Sequence, residues 1–420
     1  MISGNVFART SVFVLLFALT GLPADGATTW VATWAAAPLP PSPAGVGPPG
    51  FATPSFNNQT IRQIVRVSAG GTRVRVRFTN EYGTKALRIG AAHIALADAA
   101  GNVQAGSDRV VSFAGKPDVT IPPGAPFLSD PVDLPTKALG TLSISVYVPE
   151  DTGPCTCHQL GMQPAYVSDT GDFTAQAFAP KQTIASRAFI SEVDVEASAP
   201  AKVIAILGDS ITDGAGSTAN TNRRWPDLFA ERLAARDKGK AWGIANLGIS
   251  GNRVLADGAG QSALARFDRD ILAVPGVAYA IVFLGVNDLG LSWGQFTGPA
   301  AEFFKNQPKS AKATSETMIA AYRQLIERAH SRGIKIYGAT IAPYEGAFYW
   351  SDEGEAVRQD INKWIRTGSA FDAVLDFDAA FRDPAKPTQM ATPLQAGDHL
   401  HGSDAGYEAV AKSIDLKLFK

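Results

Sequence analysis

The stretch Lys202–Gly216, KVIAILGDSITDGAG, decides how the chain is read. Val203, Ile204, Ala205, Ile206 and Leu207 form an unbroken apolar run, and Gly208, Asp209 and Ser210 follow at once. A short apolar run bounded by turn residues predicts a strand buried on both faces, the kind found in parallel sheets. Gly208 lets the chain turn sharply as it leaves the sheet. Ser210 then stands at the carboxyl end of that strand, where open α/β sheets place their ligands. A serine so placed is a candidate nucleophile, provided that a base and donors for an oxyanion converge on it.

Working outward from that stretch, strands alternate with helices to the end of the chain. Buried strands are expected at 202–207, 241–247, 278–284, 334–340 and 373–377, and helices near 224–236, 262–272, 314–331, 354–366 and 403–416. That alternation predicts a parallel sheet with helices on both faces. Upstream the texture differs. Arg73-Val74-Arg75-Val76-Arg77-Phe78 and Leu142–Val148 alternate with period two, and glycine, proline and aspartate clusters separate further short runs. Many short alternating strands predict a β-sandwich of jelly-roll type. The three arginines read as the solvated side of an amphipathic strand. Residues 28–60, rich in proline, alanine and glycine, read as an irregular wrap-around segment. The expected division is a leader over 1–26, a β-rich domain over 27–195 and an α/β domain over 196–420.

Composition narrows the function classes. Of 420 residues, 45% are hydrophobic and 18% charged, as in ordinary globular proteins, and the net charge of −1 gives no field for nucleic acid. Arg9 followed by the apolar run Val12–Leu22 and the small residues of Ala24-Asp25-Gly26 predicts an export signal, too short to span a bilayer. A secreted or periplasmic protein without stable membrane insertion is expected. The two cysteines lie in Cys155-Thr156-Cys157-His158. Outside the cytoplasm they can pair, although one intervening residue closes a small, strained ring. No second cluster supplies ligands for a metal beside His158.

A serine needs a histidine base, itself oriented by a carboxylate. Of five histidines, two fall in Gly397-Asp398-His399-Leu400-His401, on the loop after the fifth strand and so at the sheet edge that holds Ser210. Asp398 and His401 are close enough to share one turn; spacing alone leaves His399 and His401 both open. Oxyanion donors are expected from two other strand ends: the backbone of Gly248 in Asn246–Asn252, and the side chain of Asn287 in Gly285-Val286-Asn287-Asp288. The N–H of Ser210 makes a third. Two aromatic loops at the same edge, 289–312 with Trp293, Phe296, Phe303 and Phe304, and 344–350 with Tyr344, Phe348 and Tyr349, are candidates to contact substrate. Asp209 and His399, which flank the central groups, join them.

In order, Gly208-Asp209-Ser210, Gly248, Gly285–Asp288 and Asp398–His401 resemble the four blocks of the SGNH (GDSL-type) hydrolase superfamily. The resemblance spans the chain from about 201 to 420. It implies a flavodoxin-like α/β/α sandwich with a five-stranded parallel sheet. It also implies Ser210 as nucleophile and first oxyanion donor, Gly248 and Asn287 as the other donors, His401 as base and Asp398 as its orienting carboxylate. Gly402 departs from the proline that follows this histidine in many members. In the first half, Thr29–Pro38 (TWVATWAAAP), Phe56–Ser68 (FNNQTIRQIVRVS) and Glu150–Pro154 resemble secreted two-domain bacterial acylhydrolases and arylesterases.

The expectation is therefore a secreted serine esterase. It would hydrolyse short-chain, acetyl or aryl esters of a small molecule or glycan through an acyl-enzyme, with no metal or organic cofactor. A glycan-binding or adhesion protein with an inactive hydrolase half is the rival from another class, and a lipase or lysophospholipase of longer acyl preference the rival within the class. Intact Ser210, Asn287 and His401 disfavour the former. A nucleotide binder is disfavoured because Gly208–Gly216 lacks the lysine and glycine spacing of a phosphate loop. Nothing in the sequence fixes the oligomeric state.

Overall fold

The computed structural model describes Met1 and residues 29–42, 53–98, 101–197, 200–296 and 312–420. The expected leader, apart from Met1, therefore lies outside the described residues. In the second half the apolar runs become five parallel strands: Ala201–Gly208, Ala241–Gly248, Val277–Phe283, Lys335–Ala339 and Ala373–Leu375. The second of these in sequence lies at one edge beside the first, and the third, fourth and fifth follow on the other side. This is the flavodoxin-like order, with its crossover between the first and third strands. Val203 to Leu207 are fully buried, as a strand covered on both faces requires.

The expected helices form at Trp225–Arg236, Ser315–His330, Asp352–Thr367 and Asp404–Ser413. The run expected at 262–272 is an α-turn, Ala263–Phe267, continued by a π-turn, Asp268–Leu272. Three helices were not legible as periodic patterns: Ser210–Asp213, Val286–Trp293 and Phe377–Phe381. The first is only one turn and the second opens in a glycine-asparagine-aspartate context that reads as a turn.

The first half is antiparallel. One sheet joins Thr29–Ala35, Ile190–Ala197, Gly71–Thr79, Pro126–Leu128 and Val132–Thr136; the other joins six strands, with Gln59–Arg66 and Thr141–Val148 at its centre. Apolar residues of both sheets, including Val65, Ile144, Val76 and Val193, enter the buried core. Two readings of this half need correction. Thr29–Ala35 is a strand, not an irregular wrap, because Ile190–Ala197 pairs with it along its length. The arginine stripe is not simply solvated, because the neighbouring strand presents an acidic stripe. Arg73 holds Glu196 at 2.6 Å and Arg75 holds Asp194 at 2.8 Å.

Arg266 ties the strands together where the site begins. Its guanidinium is fully buried and donates to the carbonyls of Gly208 (3.0 Å) and Leu247 (2.7 Å), to Asp270 (2.8 Å) and to Asn252 Oδ1 (3.1 Å). The first two carbonyls lie at the ends of adjacent strands, and that of Gly208 also accepts from the Ile249 N–H at 3.1 Å, so one side chain links both strand ends where the ladder stops. Arg266→Met removes these four buried bonds and leaves Asp270 short of one cation, although Gly208 keeps the Ile249 N–H. It is expected to lower unfolding free energy by about 3–5 kcal/mol, read by urea denaturation. A loss below about 1 kcal/mol would show that water replaces the guanidinium at little cost.

Candidate active site

Ser210 opens the one-turn helix Ser210–Asp213, and Asp209 caps it by accepting from the N–H of Ile211 at 3.0 Å. The turn is tight for a packing reason. A Cβ on Gly208 would lie 2.2 Å from Thr212 Oγ1, so only glycine lets the strand end lie against the helix it feeds.

The structure brings the C-terminal loop to this serine. His401 Nε2 lies 2.8 Å from Ser210 Oγ, and His401 Nδ1 lies 2.5 Å from Asp398 Oδ2. The other Asp398 oxygen accepts from the N–H groups of Leu400 (3.0 Å) and His401 (2.9 Å), which fixes the carboxylate across one turn. Burial would raise the Asp398 pKa, but the bonds from the His401 ring and backbone, the imidazole's charge and the Leu400 N–H outweigh it. They hold the carboxyl well below its ordinary range. An ionised Asp398 favours the His401 tautomer with hydrogen on Nδ1, leaving Nε2 free to accept a proton from Ser210. His399 is not on the serine. It adopts φ 59° and packs against Gly346 of the 344–350 loop.

The donors differ from expectation at one position. The N–H of Gly248 is still part of a strand end and donates to Asn246 Oδ1 at 3.0 Å, so it is not open to a ligand. Three residues on, Gly251 offers an alternative backbone N–H. Its φ of 79° turns the loop, its neighbour Asn252 is held by Arg266, and its N–H has no protein partner among the described residues. The N–H of Ser210 likewise has none. Asn287 donates from Nδ2 to the carbonyl of Asn252 at 3.1 Å and accepts at Oδ1 from the Tyr349 hydroxyl at 3.2 Å. These two bonds fix which end of the amide is the donor, and its second N–H remains for a ligand. Next to it Asp288 accepts from the N–H groups of Val254 and Leu255 and pins the loop that follows Gly251. Gly251, Arg266 and Asp288 are not singled out as site residues in the sequence, and Tyr349, expected there among the aromatics that contact substrate, instead bonds Asn287. The motif Gly285–Asp288 contains Asp288, but only the fold shows what its carboxylate holds.

The residues expected to touch substrate divide. Tyr344 is fully buried and packs edge-on against Tyr349 at 5.8 Å between centroids, so it supports the loop and meets no ligand. Trp293 is half-buried, donates to the Ala313 carbonyl at 2.7 Å and carries Lys312 Nζ 4.1 Å above its ring. Phe348 is 52% exposed and faces half-buried Phe296 at 6.3 Å, one residue from the tyrosine that orients Asn287. Phe303 and Phe304 lie outside the described residues. Asp209 is 2% exposed, and its capping bond makes it a structural group instead of a substrate contact. The described residues contain no cluster of three or more metal-ligating side chains.

Burial pushes the Asp209 pKa up to about 7, against the opposing Ile211 N–H and His401; burial likewise pushes Asp288 up to about 6. A folded-state pKa above the unfolded value of about 4 means that the folded state holds the proton longer. Stability therefore falls as pH rises from about 4 to about 7. Asp209→Asn keeps the cap acceptor and removes the titration, so the decline in Tm across that interval is expected to flatten. An unchanged slope in scanning calorimetry would show Asp209 to be ionised in the fold.

Comparisons with known proteins concern the second half of the chain. Residues 206–409 match the profile of the GDSL-like Lipase/Acylhydrolase family. A search of curated proteins finds no match. Similar solved structures include an acetyl xylan esterase variant from Geobacillus stearothermophilus, 20% identical, covering 52% of this chain and 94% of that one, with a TM-score of 0.39. A GDSL-like lipase from Bacteroides thetaiotaomicron is 18% identical, with coverages of 52% and 87% and a TM-score of 0.36. An alpha/beta hydrolase enzyme from the metagenome of Lake Arreo is 21% identical, with coverages of 52% and 94% and a TM-score of 0.37. The second half of the chain is a GDSL-type hydrolase domain of the SGNH superfamily, and the protein is a carboxylic ester hydrolase.

Proposed function

We propose that the chain is an exported serine esterase with preference for short acyl groups, acetyl above all. The observation that carries the reading is the continuous line from Asp398 through His401 to Ser210 Oγ, with hydrogen-bond spacings of 2.5 and 2.8 Å. His401 takes the Ser210 proton as Oγ attacks the ester carbonyl, and the Asp398 carboxylate stabilises the imidazolium that results. The oxyanion is met by the N–H groups of Ser210 and Gly251 and by the Asn287 amide. His401 then protonates the departing alcohol. Water, deprotonated by the same histidine, attacks the acyl-enzyme and releases the acid.

Two further observations support the rest of the reading. Cys155 and Cys157 are joined as a disulfide, which suits an oxidising compartment outside the cytoplasm. No helix among the described residues is long and apolar enough to cross a membrane. Of the large hydrophobic side chains exposed among the described residues, Phe348 alone belongs to the two aromatic loops. That is little apolar surface for a long acyl chain, which favours a small acyl group. Phe348 and Phe296 instead offer ring faces at the rim, suited to a sugar or aryl leaving group.

The test is a p-nitrophenyl ester series from acetate to decanoate, run on wild type, Ser210→Ala and Asn287→Ala. Activity is expected to fall with chain length, to vanish in Ser210→Ala, and to drop about a hundredfold in kcat for Asn287→Ala, the usual cost of one oxyanion donor. Substantial turnover by Ser210→Ala would sink the assignment, and a maximum at decanoate would move the preference to lipids.

A further inference from the structure

The Cys155-Thr156-Cys157-His158 motif finds no place in the chemistry above, yet it reaches the reacting groups. His158 stands on the short strand Cys157–His158 of the β-rich domain and is 3% exposed. Its Nδ1 lies 3.0 Å from the carbonyl of Ala37 and its Nε2 lies 2.8 Å from Asp213 Oδ1. Asp213 is the last residue of the one-turn helix that Ser210 begins. Its other oxygen accepts from both the N–H of Ser250 (3.1 Å) and the hydroxyl of Ser250 (2.9 Å). Ser250 immediately precedes Gly251. A Cβ on Gly248 would lie 2.5 Å from the Asp213 backbone nitrogen, so the same residue is wedged against the strand that feeds the loop.

We propose that His158 is a positioning residue for ester hydrolysis. In this role the β-rich domain, through His158 and Asp213, sets the height of the Ser250–Gly251 backbone beneath the oxyanion. The inference rests on the reading of Gly251 as a donor. Both ring nitrogens of His158 face oxygen acceptors, so both carry hydrogen and the ring is an imidazolium paired with a carboxylate. Burial disfavours that charge, but the Asp213 carboxylate and the Ala37 carbonyl outweigh it and raise the His158 pKa; Arg187 opposes them. Arg224 and Arg266 also face Asp213. The carboxylate is thus held by cations on several sides, while His158 is the one supplied with a direct bond from the other domain. An oxyanion donor acts only when it is placed to within a fraction of an ångström, so a group that fixes Asp213 acts on rate and not on substrate affinity.

The experiment is a double-mutant cycle on the full chain with p-nitrophenyl acetate: His158→Gln, Ser250→Ala and both together, with Ser210→Ala as the inactive control. Each single change is expected to lower kcat about tenfold with KM within about twofold. The double variant is expected to be no worse than the weaker single one, because both changes act through Asp213. An unchanged kcat in a His158→Gln protein of unchanged circular dichroism overturns the proposal, as do losses that multiply or a rise in KM alone. Should His158→Gln fail to fold, Ser250→Ala by itself decides, and full kcat in that variant overturns it. Turnover by Ser210→Ala would instead remove the serine mechanism on which the inference stands.

Discussion

The fully buried guanidinium of Arg266 is the constraint on which the site depends. The ends of the two adjacent strands beside Ser210 both give a carbonyl to this one side chain, that of Gly208 in addition to its bond from the Ile249 N–H. The same cation holds Asn252, whose own carbonyl receives the Asn287 amide. The Ser210 turn, the Gly251–Asn252 loop and the Asn287 amide are thereby referred to a single rigid point. Because the guanidinium is a planar fork with five donors, it fixes direction as well as distance, which a lysine could not do.

Around this point the protein concentrates buried carboxylates. Asp209, Asp213, Asp270 and Asp288 are each at most 3% exposed, and each accepts hydrogen bonds from backbone or side chains that define the turn it occupies. They do not share one electrostatic fate. Asp270 sits between two arginines, whose bonds overcome burial and depress its pKa. Asp209 and Asp288 have mainly backbone N–H partners, and burial prevails. The carboxylate that meets His401 is the exception in placement. Asp398 is on a half-exposed loop, where the bonds from the His401 ring and from its own turn together outweigh its desolvation and set its orientation.

How much of this was legible in the sequence follows from the range of each interaction. Val203–Leu207 announced a buried strand because burial on both faces leaves no room for a polar residue. A carboxylate and a histidine within one turn are legible at Asp398, but spacing leaves His399 and His401 both open, and only the resemblance points to His401. Gly248 misleads for a local reason: it is a glycine at a strand end, but the Asn246 side chain on its own strand takes its N–H, and the glycine at positive φ comes three residues later. Tyr344 and Tyr349 look alike in a string of aromatics, and only packing separates the buried support from the tyrosine that bonds Asn287. His158, Arg266 and Arg73 make their defining bonds across 55, 58 and 123 residues respectively. Spacing carries no information at that range.

The association of the two halves has its own physical logic. A parallel sheet exposes an edge strand whose backbone groups invite pairing with another chain. One edge here is Ala373–Leu375, three residues long and therefore a poor template. The other is the eight-residue Ala241–Gly248, and the β-rich half covers it. Ser68 Oγ accepts from the Ile244 N–H at 2.7 Å, and a Cβ on Gly243 would lie 2.1 Å from the Ala32 carbonyl. Arg66 adds an ion pair to Glu231 at 2.9 Å on the helix that packs over this strand. The strand so covered is the one that runs into Gly248 and Ser250. Protection of the edge and placement of the loop are consequently one packing problem, and a hydrolase half stripped of its partner would face water with an unpaired edge leading straight into the Ser250–Gly251 loop.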